Sequence, residues 1–149
     1  MSMGGCFISV SGYRLRQIVI DPTDLYAYSE TPAEAGGPTG QQSVEQAWHV
    51  VQTLLPETVN GDVLEGADLG EMCLYLTPSR VEEAHVQLLQ RDAAAVVRPF
   101  VDEQKRYEDL YWANVWREDT QWLEQMIREL MQFFADAASR GDAVIFYVG

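Results

Sequence analysis

Over the last third of the chain, apolar residues recur every three or four positions, at Leu123, Met126, Ile127, Leu130, Phe133, Phe134, Ala137 and Ala138. That spacing draws one continuous stripe along a helix. Asp119 or Thr120 caps its first free amides, and Gly141 takes the left-handed turn that stops it. Ala143-Val144-Ile145-Phe146-Tyr147-Val148 follows, a run rich in β-branched and aromatic residues. It is too short for a helix and suits a buried strand.

The same pattern, fainter, marks the rest of the chain. Cys6-Phe7-Ile8-Ser9-Val10 reads as a short strand, and Ser11-Gly12 opens a helix with Tyr13, Leu15, Ile18, Val19 and Ile20 that ends at Asp21-Pro22. Residues 28–42, rich in Gly, Pro, Thr and Ser, read as a flexible surface loop. Ser43-Val44-Glu45-Gln46 has the form of a capping box, which predicts a helix carrying Val44, Ala47, Trp48, Val51, Leu54 and Leu55 until Pro56 closes it. Residues 60–71 form an acidic, glycine-punctuated loop, with a short extended piece at 72–76 behind it. Thr77-Pro78 starts a helix with Val81, Ala84, His85, Leu88 and Leu89 on its apolar face. A further helix begins at Asp92 and is expected to halt at Arg98, because proline at 99 disfavours a helical conformation before it. Residues 110–116 are densely aromatic and follow no single period.

These elements predict an α+β fold: a single domain in which a small β-sheet, including the N-terminal and C-terminal strands, is packed by several amphipathic helices. A chain of 149 residues with 47% hydrophobic content suffices for one core without disulfides or metal. Charge adds a restriction. Ten basic residues against 23 acidic ones leave a formal net charge of −13, and no Lys or Arg stands between Arg16 and Arg80. Nucleic acid and anionic membrane are poor partners for such a chain, because phosphate contacts need cations; a basic protein partner suits it. No segment has the apolar length of a membrane span, and no signal peptide or myristoylation site is expected. Cys6 and Cys73 lack a pairing pattern, consistent with a reducing compartment, so a cytoplasmic setting is expected.

Several motifs stand in a telling order: the short strand within 1–10, Glu45-Gln46-Ala47-Trp48-His49, Tyr75-Leu76-Thr77-Pro78, Leu110-Tyr111 followed by Val115-Trp116, and Ala137-Ala138-Ser139-Arg140-Gly141-Asp142-Ala143-Val144. Together they resemble the YfbM-like family, small bacterial α+β proteins carrying a domain of unknown function. The resemblance spans the whole chain. It implies one YfbM-like domain over 1–149, a bacterial cytosolic setting and no assigned activity. Relatives often carry Lys where Gln46 stands, a Gly-Pro-Ala-Arg-like approach where Glu71-Met72-Cys73-Leu74 stands, and Pro where Trp112 stands. Any anion site that Lys and Arg form in relatives is therefore not carried over.

Catalytic signatures are missing: there is no nucleophile elbow, phosphate-binding loop, dinucleotide glycine pattern or metalloprotease helix. Cys6, His49, Cys73 and His85 contain no close pair, so no metal and no cofactor are expected. Asp62, Glu65, Asp68 and Glu71 lack the order of an EF-hand and read as a solvated loop. The aromatics remain. Trp48, His49, Tyr75, Tyr111, Trp112 and Trp116 form the candidate patch or pocket, because Trp and Tyr lead among interface hot spots. The leading expectation is a non-catalytic binding protein that presents an acidic, aromatic-bearing surface to a basic protein partner. The alternative is a small-molecule-binding protein or enzyme with a pocket near Trp48, His49, Tyr75 and Tyr111.

Overall fold

The apolar run at the end of the chain becomes the middle of the sheet. In the computed structural model, which describes residues 3–149, the strands are β1 (Gly5–Val10), β2 (Gly40–Glu45), β3 (Asp62–Val63), β4 (Met72–Leu76) and β5 (Ala143–Val148). They lie in the order β2-β1-β5-β4-β3, all neighbours antiparallel. The helices are α1 (Gly12–Ile20), α2 (Leu25–Ser29), α3 (Trp48–Leu54), α4 (Pro78–Leu88), α5 (Ala93–Asp102), α6 (Ala113–Glu118) and α7 (Thr120–Arg140). β5 is paired along its length on both sides, from Val10↔Ala143 to Gly5↔Val148 and from Leu76↔Val144 to Met72↔Val148. Both of its faces are also covered, which is why it reads as a continuous apolar run instead of alternating.

Strand alternation divides the interior in two. On one face Phe7, Val44, Leu76, Val144, Phe146 and Val148 meet residues of α3 to α7 in the larger core. On the other, Cys6, Ile8, Val10, Cys73 and Ile145 pack under Leu15 and Ile18 of α1, Leu25 of α2, and Leu64 and Leu69 of the acidic loop. That loop is a cover for the second core: Asp68 Oδ1 accepts the amide of Tyr26 at 2.8 Å, tying it to α2.

The final helix has the ends its sequence specifies. Asp119 Oδ1 accepts from the Trp122 amide at 3.3 Å, and Gly141 sits at φ +71. The amides of Gly141 and Asp142 bond back to the carbonyls of Ala138 and Ala137, the paired bonds of a Schellman end. Thr77 and Asp92 likewise cap α4 and α5. Beyond the cap, Asp142 is buried and is held by Arg140 Nε at 2.8 Å and by Thr39 Oγ1 at 2.7 Å, which pins the start of β2 to the end of α7.

Three local expectations are not met. Residues 28–42 are not a plain loop: they include the end of α2, a 3₁₀ turn at Ala33–Ala35 and the start of β2. The capping box does not form either. Ser43 lies within β2 opposite Cys6, Val44 is buried in the larger core, and α3 starts only at Trp48, after a turn in which Glu45 has φ +46. An entire edge pairing outweighs a cap contributing about 1 kcal/mol. Lastly, α5 continues through Pro99 to Asp102. Pro99 removes the usual donor to the Ala95 carbonyl, and both residues line a surface cleft, where the small Ala95 gives the ring room.

Candidate functional site

Where β2 leaves the sheet, Glu45 stands opposite Gly5, and the chain turns into α3. This puts Trp48 against the beginning of β1. The approach is close enough that a Cβ on Gly5 would lie 2.5 Å from Trp48 Cβ, so only glycine fits there. Trp48 Nε1 donates to the Met3 carbonyl at 3.1 Å, and the Met3 amide donates to the Tyr111 hydroxyl at 2.9 Å. The N-terminal strand is thus clamped between α3 and the segment before α6.

Aromatic rings stack outward from this clamp. Trp48 lies parallel to His49 at 5.2 Å and tilted against Tyr111 at 5.6 Å, and Tyr111 stacks on Trp112 at 5.9 Å. The inner rings are half-buried, while Trp112 is 43% exposed. Trp112 occupies the position before α6 with φ +58, a left-handed conformation rare for a bulky residue and costing of order 1–3 kcal/mol. Val115, 47% exposed one turn later, extends the apolar ridge. Glu45, Glu108 and Asp109, all exposed, are neighbours of the ridge in sequence.

His49 is oriented by backbone. Its Nδ1 accepts the Tyr111 amide at 3.1 Å, so the proton of the neutral ring resides on Nε2. Among the described residues Nε2 has no partner, which leaves His49 able to donate one hydrogen bond outward from the ridge.

The remaining candidates go elsewhere. Tyr75 lies on β4 among the residues packed against the smaller core, on the opposite face of the sheet. A pocket shared by Trp48, His49, Tyr75 and Tyr111 therefore does not form, because odd-numbered positions of β4 face away from α3. Trp116 is only 6% exposed and stacks on Trp122 at 4.6 Å inside the larger core. It belongs to that core and is not part of the ridge. Tyr107 is buried edge-on against Phe100. Clefts of 280 to 420 Å³ indent the surface, yet none of them is lined by Trp48, His49, Tyr75, Tyr111, Trp112 or Trp116.

Two features escape sequence reasoning because their parts are far apart along the chain. A cleft of 420 Å³ lies between the end of α3 and α5; its Arg91 is forked onto the buried Glu57 carboxylate at 2.9 Å through both Nε and Nη2. That guanidinium is already neutralised. The second is a groove between β2 and α7, 320 Å³ in volume. Among the described residues no three His, Cys, Asp or Glu side chains gather as a metal site, and no helix is long and apolar enough to cross a membrane. Cys6 and Cys73 flank Tyr147 of β5 from either side. Burial raises the Cys6 thiol and pushes Cys73 up to about 12, the reverse of what a nucleophilic cysteine needs.

The model of a domain of unknown function, DUF1877, matches residues 1–147. Among solved structures, the protein of unknown function YfbM from Escherichia coli is similar over 98% of this chain and 99% of its own, with a TM-score of 0.69 and 10% sequence identity. At that identity the likeness is one of fold. No curated protein matches the chain.

Proposed function

The chain belongs to the family of the domain of unknown function DUF1877, and on that premise we propose that it is a non-catalytic binding protein that holds a basic protein partner in the bacterial cytoplasm. The observation that carries this reading is Trp112. A tryptophan held in a left-handed conformation, with its ring beyond Tyr111 at the open end of a His49–Trp48–Tyr111 row, is an arrangement whose backbone cost is not returned by burial. Large, rigid, half-exposed rings ending in an open His49 donor are the composition of a binding hot spot. The net charge of −13 favours a cationic partner and speeds its encounter. Two free, buried cysteines accord with a reducing compartment.

The test is capture of proteins from bacterial lysate on the immobilised chain at about 20 mM and about 500 mM salt, since only the former leaves surface charge unscreened. Wild type is expected to retain basic proteins at low salt and release them at high salt, while Trp112→Ala retains few although its thermal melt is unchanged. An empty column at low salt, or equal retention by both proteins, rejects the reading. A small-molecule-binding protein or enzyme remains the second reading; the outward Nε2 of His49 beside Trp48 and Tyr111 favours it, without Tyr75.

A further inference from the structure

The strand that the local pattern conceals exposes an unpaired edge. The amides and carbonyls of Gly4 and Gly149 bond to each other, so even-numbered residues of β1 face β5 and odd-numbered ones face β2. Phe7 and Ser9 therefore bond to Gln42 and Gly40, and the backbone groups of Gln41 and Ser43 turn outward. One of these groups is met internally, the Ser43 carbonyl accepting from Gln42 Nε2 at 3.1 Å. Sheet edges are commonly blunted by Pro, Lys or a bulge. Here the register shift opposite Gly5 and Cys6 ends the edge near Val44, but positions 40–43 carry neither Pro nor Lys. The opposite edge, β3, is only two residues long.

Beside this edge runs the groove against α7, lined by Gln41, Gln42, Glu129, Gln132 and Asp136 over the buried ring of Phe133, with Arg140 at its Gly40 end. Arg140 is bound to Asp142 at 2.8 Å, and neither groove carboxylate is ion-paired among the described residues. Glu129 is approached only by Gln42 Nε2 at 3.5 Å, and Asp136 accepts from Gln132 Nε2 at 2.9 Å; the ion pairs among the described residues lie elsewhere. The two acids stand seven positions apart, about 10 Å along the helix. Alternate side chains of an added strand are about 7 Å apart, a difference that two lysines easily span.

We propose that β2 is a docking edge that takes an extended, lysine- or arginine-bearing segment of a partner protein as an additional antiparallel strand, its cations on Glu129 and Asp136. Main-chain bonds to Gln41 and Ser43 supply the pairing, and the acidic groove selects the side chains, the division of labour of strand addition. A second copy of this chain is disfavoured as the occupant, because each copy carries a net charge of −13 and would bring its own acidic groove to the joint. The inference rests on the basic-partner reading above and adds to the Trp112 ridge a second contact, the β2 edge.

Fluorescence anisotropy with a labelled Lys-Val-Lys-Val-Lys-Val peptide at low salt tests it. Saturable binding is expected, absent for Glu-Val-Glu-Val-Glu-Val. It should weaken at least about tenfold when alternate peptide amides are N-methylated, when Glu129 and Asp136 are both changed to Gln, and in Gln41→Pro. The amide of Gln41 faces outward, so that proline leaves the β1 pairing intact; should this variant not fold, the N-methylated peptide still decides on wild-type protein. Failure to bind the parent peptide, or equal binding of the N-methylated one, overturns the proposal. So does a wild-type dimer that Gln41→Pro converts to monomer, since the occupant is then a second copy. Binding that ignores N-methylation but is lost in Trp112→Ala overturns edge docking and keeps the basic-partner reading; if no basic peptide binds and the lysate column is empty, both fall.

Discussion

The two faces of one sheet are finished very differently. Phe7 on the first face stacks on Phe146 and meets Phe133 and Phe134 of α7, with ring centroids between 4.6 and 6.3 Å apart, and α3, α4, α5 and α6 complete the layer. Cys6, Cys73 and Ile145 on the second face have above them one nine-residue helix, one five-residue helix and a loop. The thick face holds the stability and also supplies the ridge, since Trp48, Tyr111 and Trp112 are the outer margin of its packing. The thin face instead keeps titratable groups out of water: burial raises Cys6, Cys73, Tyr28 and Tyr147 together. Local opening is expected first where cover is slightest.

The largest effect should come from the thick face. Phe134→Ala is expected to cost about 3–5 kcal/mol in urea denaturation, and Leu25→Ala on the thin face nearer the 2 kcal/mol end of the range for Leu, because a light cover collapses more readily into the space left. Equal losses would erase the distinction between the faces.

Alkaline pH should act on the thin face. The Cys73 thiol is raised from 9.0 in the unfolded chain to about 12 when folded, so the folded state holds its proton more tightly. Its contribution is complete below pH 9 and is lost as pH climbs toward 12. Melting temperature should therefore decline across that interval, and Cys73→Ala should decline less steeply; identical slopes would remove the thiol from the explanation.

At the margin of the thick face, Gly5→Ala is expected to cost about 1–3 kcal/mol, by driving Trp48 off β1, and to alter tryptophan fluorescence. Trp112→Gly should have the smallest effect and the opposite sign, a gain of about 1 kcal/mol as the left-handed residue is relieved. A loss there would mean that the Trp112 ring packs as core.

Legibility along the chain follows the range of the forces involved. Asp119, Thr77, Asp92 and Gly141 announce helix ends because caps act within three residues. The ridge is half legible: Tyr111 and Trp112 stand in a segment that follows no single period, Trp48 and His49 stand on a predicted helix, and the four do come together. Tyr75 and Trp116 looked equivalent and are not, since the first depends on the register of β4 against β5 and the second on stacking with Trp122.

By itself, then, the sequence determined the long amphipathic α7 with both its ends, the buried β5 and the starts of α4 and α5, each through periodicity and capping between residues close along the chain. The tertiary structure alone decided that Gly40–Glu45 is a strand, that Tyr75 faces the cysteines and not His49, and that Glu129 and Asp136 flank an open sheet edge. In each case the decisive partner lies tens of residues away, and strand pairing with a two-residue period gives opposite faces to neighbouring positions, so a local pattern carries no trace of the outcome.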